Sequence, residues 1–210
     1  MAAVKNLRSS LIKEFEEITY AKVVLLGSMA VGKTSLVKKF CFDKFKNNQP
    51  STIHVDFATV KVLLPDMNKP IVLQIWDTVG QERFSNMNVS FMRRAAAAIV
   101  IYNVTDRESF FRIDEFLSDI ERVIPEAEVV IVGNKEDLGD RVISSEEGET
   151  LAKSHDYEFM ETSALTGHNV DSLFHGIARA LYKKNLQAKN DVLKLTGSAT
   201  QKKKSSCCKS

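Results

Sequence analysis

The chain has 210 residues, 44% of them hydrophobic, with 29 Lys and Arg against 27 Asp and Glu for a formal net charge of +2. That composition suits one well-buried domain with tails and excludes a disordered polyelectrolyte. Three cysteines, two of them adjacent at 207 and 208, make no disulfide framework and point to a reducing cytosol. Nothing resembles a secretory signal, and no apolar run nears the ~20 residues of a membrane span.

In chain order, residues 1–19 carry Leu7, Leu11, Ile12, Phe15 and Ile18, the pattern of a short, weakly amphipathic helix or a frayed arm. A first strand is predicted at 23–26, a helix from 33 to about 42, and a loop from 42 to 50. Strands at 55–64 and 71–76 flank the turn-forming Pro65-Asp-Met-Asn-Lys-Pro70 and should pair as an antiparallel hairpin. Strands and helices then alternate: strand 97–103, a helix carrying Ile113, Phe116, Leu117, Ile120 and Ile124 until Pro125, and strand 129–132. A helix at 145–154 capped by Ser144 or Ser145, strand 158–162 and a last helix at about 170–183 complete the pattern. This alternation predicts an α/β fold: a mostly parallel six-stranded sheet with one antiparallel strand and helices on both faces. The expected organisation is an extension at 1–19, a domain at 20–184 and a polar, flexible tail at 185–210.

The charge is unevenly placed. Residues 185–210 hold six Lys and one Asp, net +5, whereas the rest carries 23 basic against 26 acidic residues, net −3. A slightly acidic body argues against nucleic-acid binding. The basic tail suits an anionic surface, or serves as a solvated tail kept basic for solubility.

The most specific motif is Gly-Ser-Met-Ala-Val-Gly-Lys-Thr-Ser at 27–35, between the first strand and the first helix. Gly27 and Gly32 let backbone N–H groups turn inward around an anionic phosphate chain, and the helix begun at Lys33 adds its positive end. Lys33 supplies a charge for the outer phosphates and the Thr34 hydroxyl an oxygen for Mg2+. Asp77, closing the strand at 71–76, can hold the metal through water; Gly80 can offer an N–H to the terminal phosphate, and Gln81 can orient an attacking water. Asn134-Lys-Glu-Asp137 closes the strand at 129–132, where the Asp137 carboxylate matches the paired N–H donors of a guanine edge that adenine lacks. Thr162-Ser-Ala-Leu165 follows another strand end, and strand carboxyl ends are where open α/β sheets bind ligands.

These motifs, with Ser51-Thr-Ile-His-Val-Asp-Phe57, Leu73–Phe84 and Cys207-Cys-Lys-Ser210, resemble those of the Rab family of Ras-superfamily small GTPases, over 20–184 and the last four residues. The resemblance implies a P-loop NTPase (small G-protein) fold binding GTP and GDP with Mg2+. Under it, Ser28, Met29, Ala30, Val31, Gly32, Lys33, Thr34 and Ser35 surround the phosphates. Thr52 closes over metal and terminal phosphate, with Thr34, Thr52 and Asp77 as the metal residues. Gly80 contacts the terminal phosphate, and Gln81 is the catalytic residue. Asn134, Lys135 and Asp137 read guanine, and Ser163, Ala164 and Leu165 complete the base pocket. Cys207 and Cys208 resemble the paired cysteines that receive two geranylgeranyl groups, consistent with two lipids holding a membrane where one is marginal. Implied partners are an exchange factor, a GTPase-activating protein, a prenylation escort, an extraction chaperone and effectors. The implied place is the cytoplasmic face of an intracellular membrane, with a cytosolic pool; Ala30 and Ser51-Thr-Ile53 lean towards endosomal members.

Several positions depart from the usual Rab pattern. Met29 stands where a small residue is common, Ala30 and His54 where Gly is usual, Val79 for Ala and Asn103 for Asp. A thioether at 29 would crowd Gln81 or an arginine finger and slow hydrolysis. Two rivals remain open: a GTP-binding adaptor that scaffolds partners without significant hydrolysis, and a P-loop ATPase or kinase, which Asn134–Asp137 opposes.

Overall fold

A computed structural model describes residues 19–45, 56–64, 69–78 and 85–199. Expectations placed on 1–18, Ser51, Thr52, Ile53, His54, the 65–68 turn, Val79, Gly80, Gln81, Cys207 and Cys208 lie outside the described residues.

The strands are β1 (Thr19–Leu26), β2 (Asp56–Leu64), β3 (Lys69–Asp77), β4 (Ala97–Asn103), β5 (Glu128–Asn134) and β6 (Glu158–Thr162). The helices are α1 (Lys33–Phe42), α2 (Ser85–Met92), α3 (Arg107–Phe111), α4 (Ile113–Val123), α5 (Ser145–Ser154) and α6 (Val170–Ala199). They form one six-stranded sheet in the order β2-β3-β1-β4-β5-β6. Only β2 runs antiparallel, paired along its length with β3. The predicted α/β architecture and hairpin are therefore present.

Alternation along β1 sorts the core. Val23 and Leu25 face one layer, with Leu36 and Val37 of α1 and Leu173, Phe174 and Ile177 of α6. Val24 and Leu26 face the other, with Met92 of α2, Ile113, Leu117 and Ile120 of α4 and Ala152 of α5. The central strand β4 is apolar from Ala97 to Tyr102 and buried throughout, as a parallel strand covered on both faces must be. Parallel register then lines up Leu25 with Asp77, and Asn103 with Asn134 and Thr162. One edge of the sheet collects all the motif-bearing strand ends.

Local chemistry sets the boundaries. Ser144 caps α5, accepting from Glu147 N at 3.2 Å while the Glu147 carboxylate accepts from Ser144 N at 2.8 Å. Asp106 caps the short α3 by accepting from Glu108 N and Ser109 N. Neither α2 nor α3 is visible as a periodic run, because each is too short to repeat an apolar face.

The largest departure is at the carboxyl end. The sequence reading ends the last helix near 183 and begins a flexible tail at 185, but α6 continues to Ala199. Residues 184–196 contain neither Gly nor Pro and include three Leu and three Lys, so nothing in the backbone stops propagation. The helix is also fastened at the expected breakpoint: Lys184 pairs with Glu128 at 3.2 Å and donates to the Glu126 carbonyl, while Asn185 Nδ2 reaches Thr19 Oγ1 at 3.4 Å.

Candidate functional site

The loop between β1 and α1 is shaped by two glycines that admit no side chain. Gly27 has φ 140°, and a Cβ there would lie 2.2 Å from the Ile101 carbonyl oxygen of β4. Gly32 has φ 104°, and a Cβ there would lie 2.2 Å from Asn134 Nδ2. Between them Ala30 takes φ 61° without being glycine, which costs about 1 kcal/mol. Met29 is half exposed, Val31 buried. Ser35 lies in the first turn of α1.

Lys33 is buried, and its ammonium donates to the Gly27 and Ser28 carbonyls, each at 2.8 Å. It staples the loop across the mouth of the helix. Burial lowers its pKa to about 8, against the opposing pull of Asp77. Thr34 Oγ1 donates to Asp77 Oδ2 at 2.5 Å. Asp77 is 2% exposed, and its other oxygen, Oδ1, has no hydrogen-bond partner among the described residues. Burial raises its pKa first, with the Thr34 hydrogen bond and Lys33 pulling it back down. A buried carboxylate oxygen without a donor, beside a hydroxyl, is a seat for a hard cation. The Ser28 hydroxyl is a second buried group without a partner among the described residues.

The neighbouring corner is built differently. The Asn134 side chain is fully buried; Nδ2 donates to the Val31 carbonyl at 2.8 Å and Oδ1 accepts from Thr162 Oγ1 at 3.1 Å. It bolts the phosphate-type loop to β5 and β6, so the side chain that the resemblance assigns to guanine is engaged inside the protein. Lys135 follows in the left-handed region at φ 66°, which throws the chain outward over the edge. Burial lowers the Lys135 pKa, with Asp106, Asp137 and Asp140 opposing. Asp137 stands exposed, and Ser163 Oγ donates to its Oδ1 at 2.5 Å while accepting from Thr166 N at 3.0 Å. Ala164 is buried beside it and Leu165 half exposed.

The structure thus joins four of the predicted segments by direct bonds: Thr34 to Asp77, Val31 to Asn134, Asn134 to Thr162, and Asp137 to Ser163. A sequence model described as the Ras family matches residues 22–183, most of the chain. The chain belongs to the Ras family.

A Ras-family protein is a small GTPase switch, binding GTP and GDP and working with regulators and effectors, and Ras-family GTPases typically bind Mg2+. The donor set here fits that ion: Asp77 Oδ1 is unpartnered, and Thr34 supplies a hydroxyl beside it. These two residues would hold the metal, and when bound it neutralises charge on the β- and γ-phosphates. The protein's own contribution is positional. Lys33 fixes the loop, Asn134 ties the loop to β5 and β6, and Ser163 fixes Asp137.

Sequence reasoning assigned no bonding role to two residues at these strand ends, Thr78 and Asn103. Thr78 is buried and donates to the Leu25 carbonyl at 2.5 Å, pinning the chain just after Asp77. Its signal was a Thr following an acid at a strand end. Asn103 accepts from both the Thr105 amide and hydroxyl at 3.1 Å, so a carboxamide there performs the acceptor role an Asp would fill.

Proposed function

We propose that this Ras-family GTPase is a Rab-type, membrane-anchored switch of vesicle-mediated and intracellular protein transport. The reading is carried by the aromatic face next to the metal pair: Phe57 is half exposed and lies edge-on to Trp76 at 5.2 Å, with Phe91 a further 6.0 Å on. An exposed ring at the start of β2, backed by the partly buried Trp76 and Phe91, suits effectors that read the bound state. The ending Cys207-Cys-Lys-Ser210 and the tail charge of +5 support attachment by two geranylgeranyl groups to an anionic leaflet. Its place is then the cytoplasmic face of an intracellular membrane, with Ala30 and Ser51-Thr-Ile53 favouring an endosomal one, and a cytosolic pool maintained by an extraction chaperone. The exchange factor, activating protein and prenylation escort follow from the same reading.

Catalysis is assigned to Gln81 as the water-positioning group, with Thr52 and Gly80 closing on metal and terminal phosphate. Met29 slows it. The side chain is half exposed on the loop rather than folded into the core, and a thioether beside the terminal phosphate would crowd Gln81 or an arginine finger. Single-turnover hydrolysis of bound GTP is expected to rise roughly tenfold in Met29→Ser (about 1.4 kcal/mol of barrier); equal rates remove this part of the reading. The anchor is tested by the Cys207→Ser/Cys208→Ser pair, which should move the protein wholly to the soluble fraction; persistent sedimentation with membranes refutes it.

The same Met29 favours a second reading, a GTP-bound adaptor without significant turnover. Mass spectrometry of the co-purifying nucleotide separates the two: GDP supports the switch, persistent GTP the adaptor.

A further inference from the structure

At the sheet edge opposite the nucleotide site lies a cavity of about 560 Å³, floored by Ala95 and Ala96 and walled by Ile124, Pro125, Leu181 and Ala188. It lies between the start of β4, the turn after α4 and the far half of α6. Its rim holds Tyr20, which is 61% exposed, and the exposed cation Arg94. A largely apolar recess of this size with an exposed aromatic at its mouth is a docking surface rather than ordinary surface.

We infer that the occupant is the chain's own amino-terminal segment, residues 1–18, lying along this groove as an amphipathic helix. Two observations select it. The first is position: β1 begins at Thr19, which itself lines the groove, and Asn185 Nδ2 to Thr19 Oγ1 at 3.4 Å holds that entry point against the α6 wall. The segment therefore has no distance to cross. The second is pattern: at 100° per residue Val4, Leu7, Leu11, Phe15 and Ile18 fall within about 80° of arc, a stripe that needs a partner surface. Coiled helically, eighteen residues reach roughly 27 Å, enough to lie along the recess.

Docking has a mechanical consequence. One wall of the groove is the stretch of α6 around Leu181 to Ala188, where a stop was predicted and none occurs. A segment seated there braces the helix that leads to the carboxyl terminus, linking the two ends of the chain on the face away from the nucleotide. The inference holds whether or not the Rab-type reading does.

The test uses the full-length chain with p-benzoylphenylalanine in place of Phe15, irradiated at low protein concentration and mapped by mass spectrometry. The expected major product is an intrachain adduct within 94–96, 123–127 or 181–188. Adducts elsewhere, adducts between two copies, adducts to lipid when anionic vesicles are added, or no adduct would each overturn the inference. Hydrogen exchange gives an independent reading. In Leu11→Asp/Phe15→Asp the amides of 123–127 and 181–188 should exchange roughly tenfold faster while those of 129–134 keep their rates. Wild-type rates at the groove would refute docking, and should the double variant unfold, the cross-link at position 15 decides alone.

Discussion

The two corners of the nucleotide site are held together by opposite means. At the corner that the resemblance assigns to the base, two side chains are answered within the protein: Asn134 by Val31 and Thr162, Asp137 by Ser163. At the phosphate corner the buried groups are left incomplete: Asp77 Oδ1 and Ser28 Oγ have no partner among the described residues, and Lys33 holds only main-chain carbonyls. Asn134 makes the first corner a frame, whereas the second is a set of buried polar groups left short of partners. A buried group left short of partners costs stability that a ligand restores, so binding energy concentrates where the protein is least satisfied.

Substitutions can break this contrast, beginning with the strongest. Lys33→Ala removes the buried ammonium and should weaken GTP binding by roughly two to three powers of ten, measured by fluorescent-nucleotide titration. An affinity within a factor of three of wild type would remove the phosphate corner from the account. Asp137→Asn, at the framed corner, should shift preference from guanosine towards xanthosine nucleotides by about a hundredfold, with urea stability nearly unchanged. Asn134→Ala should behave in the reverse sense. Losing the Val31 and Thr162 bonds should cost about 2–3 kcal/mol of stability in nucleotide-free protein, whereas Asp77→Asn should cost little there and instead abolish the metal dependence of binding. Similar urea midpoints for the two variants would erase the distinction between frame and charge.

The pH dependence sharpens the comparison on a finer scale. The folded-state pKa of Lys33 is lowered to about 8 from the ordinary 10.5, so the unfolded chain binds its proton more tightly. Burial of the ammonium therefore weighs on the free protein fully below pH 8 and is relieved as pH rises from about 8 to 10.5. Nucleotide binding runs the other way, because the phosphates need the charged form. Affinity should fall by up to about tenfold per pH unit above 8 in wild type, and much less in Lys33→Arg. The smallest effect expected is at Ser163→Ala, which frees the Asp137 carboxylate and should reduce GTP affinity by about fivefold.

Much of the fold is legible because its signals are backbone rules repeated over several residues. The apolar run of β4, the 3.6-residue spacing of Ile113, Leu117 and Ile120, and a serine cap at 144 or 145 each fix one element within a residue or two. The glycines of the phosphate loop are legible for the same reason, since Gly27 and Gly32 stand where any Cβ would strike Ile101 or Asn134. What was not legible depends on partners far away in the chain. The roles of Asn134 and Thr78 are set by carbonyls at positions 31 and 25, and no local pattern announces them. The continuation of α6 was hidden by composition, because a polar Lys-rich stretch reads as solvated tail although 184–196 holds no Gly or Pro to break a helix.

The Asn134 bond to Val31 spans 103 positions, and its other bond waits on Thr162 in the last strand to be synthesised. A ribosome delivering this polypeptide exposes the phosphate loop early, yet the frame that aligns it is finished only when β6 has emerged and docked. Truncated or nascent forms therefore possess the loop without its brace.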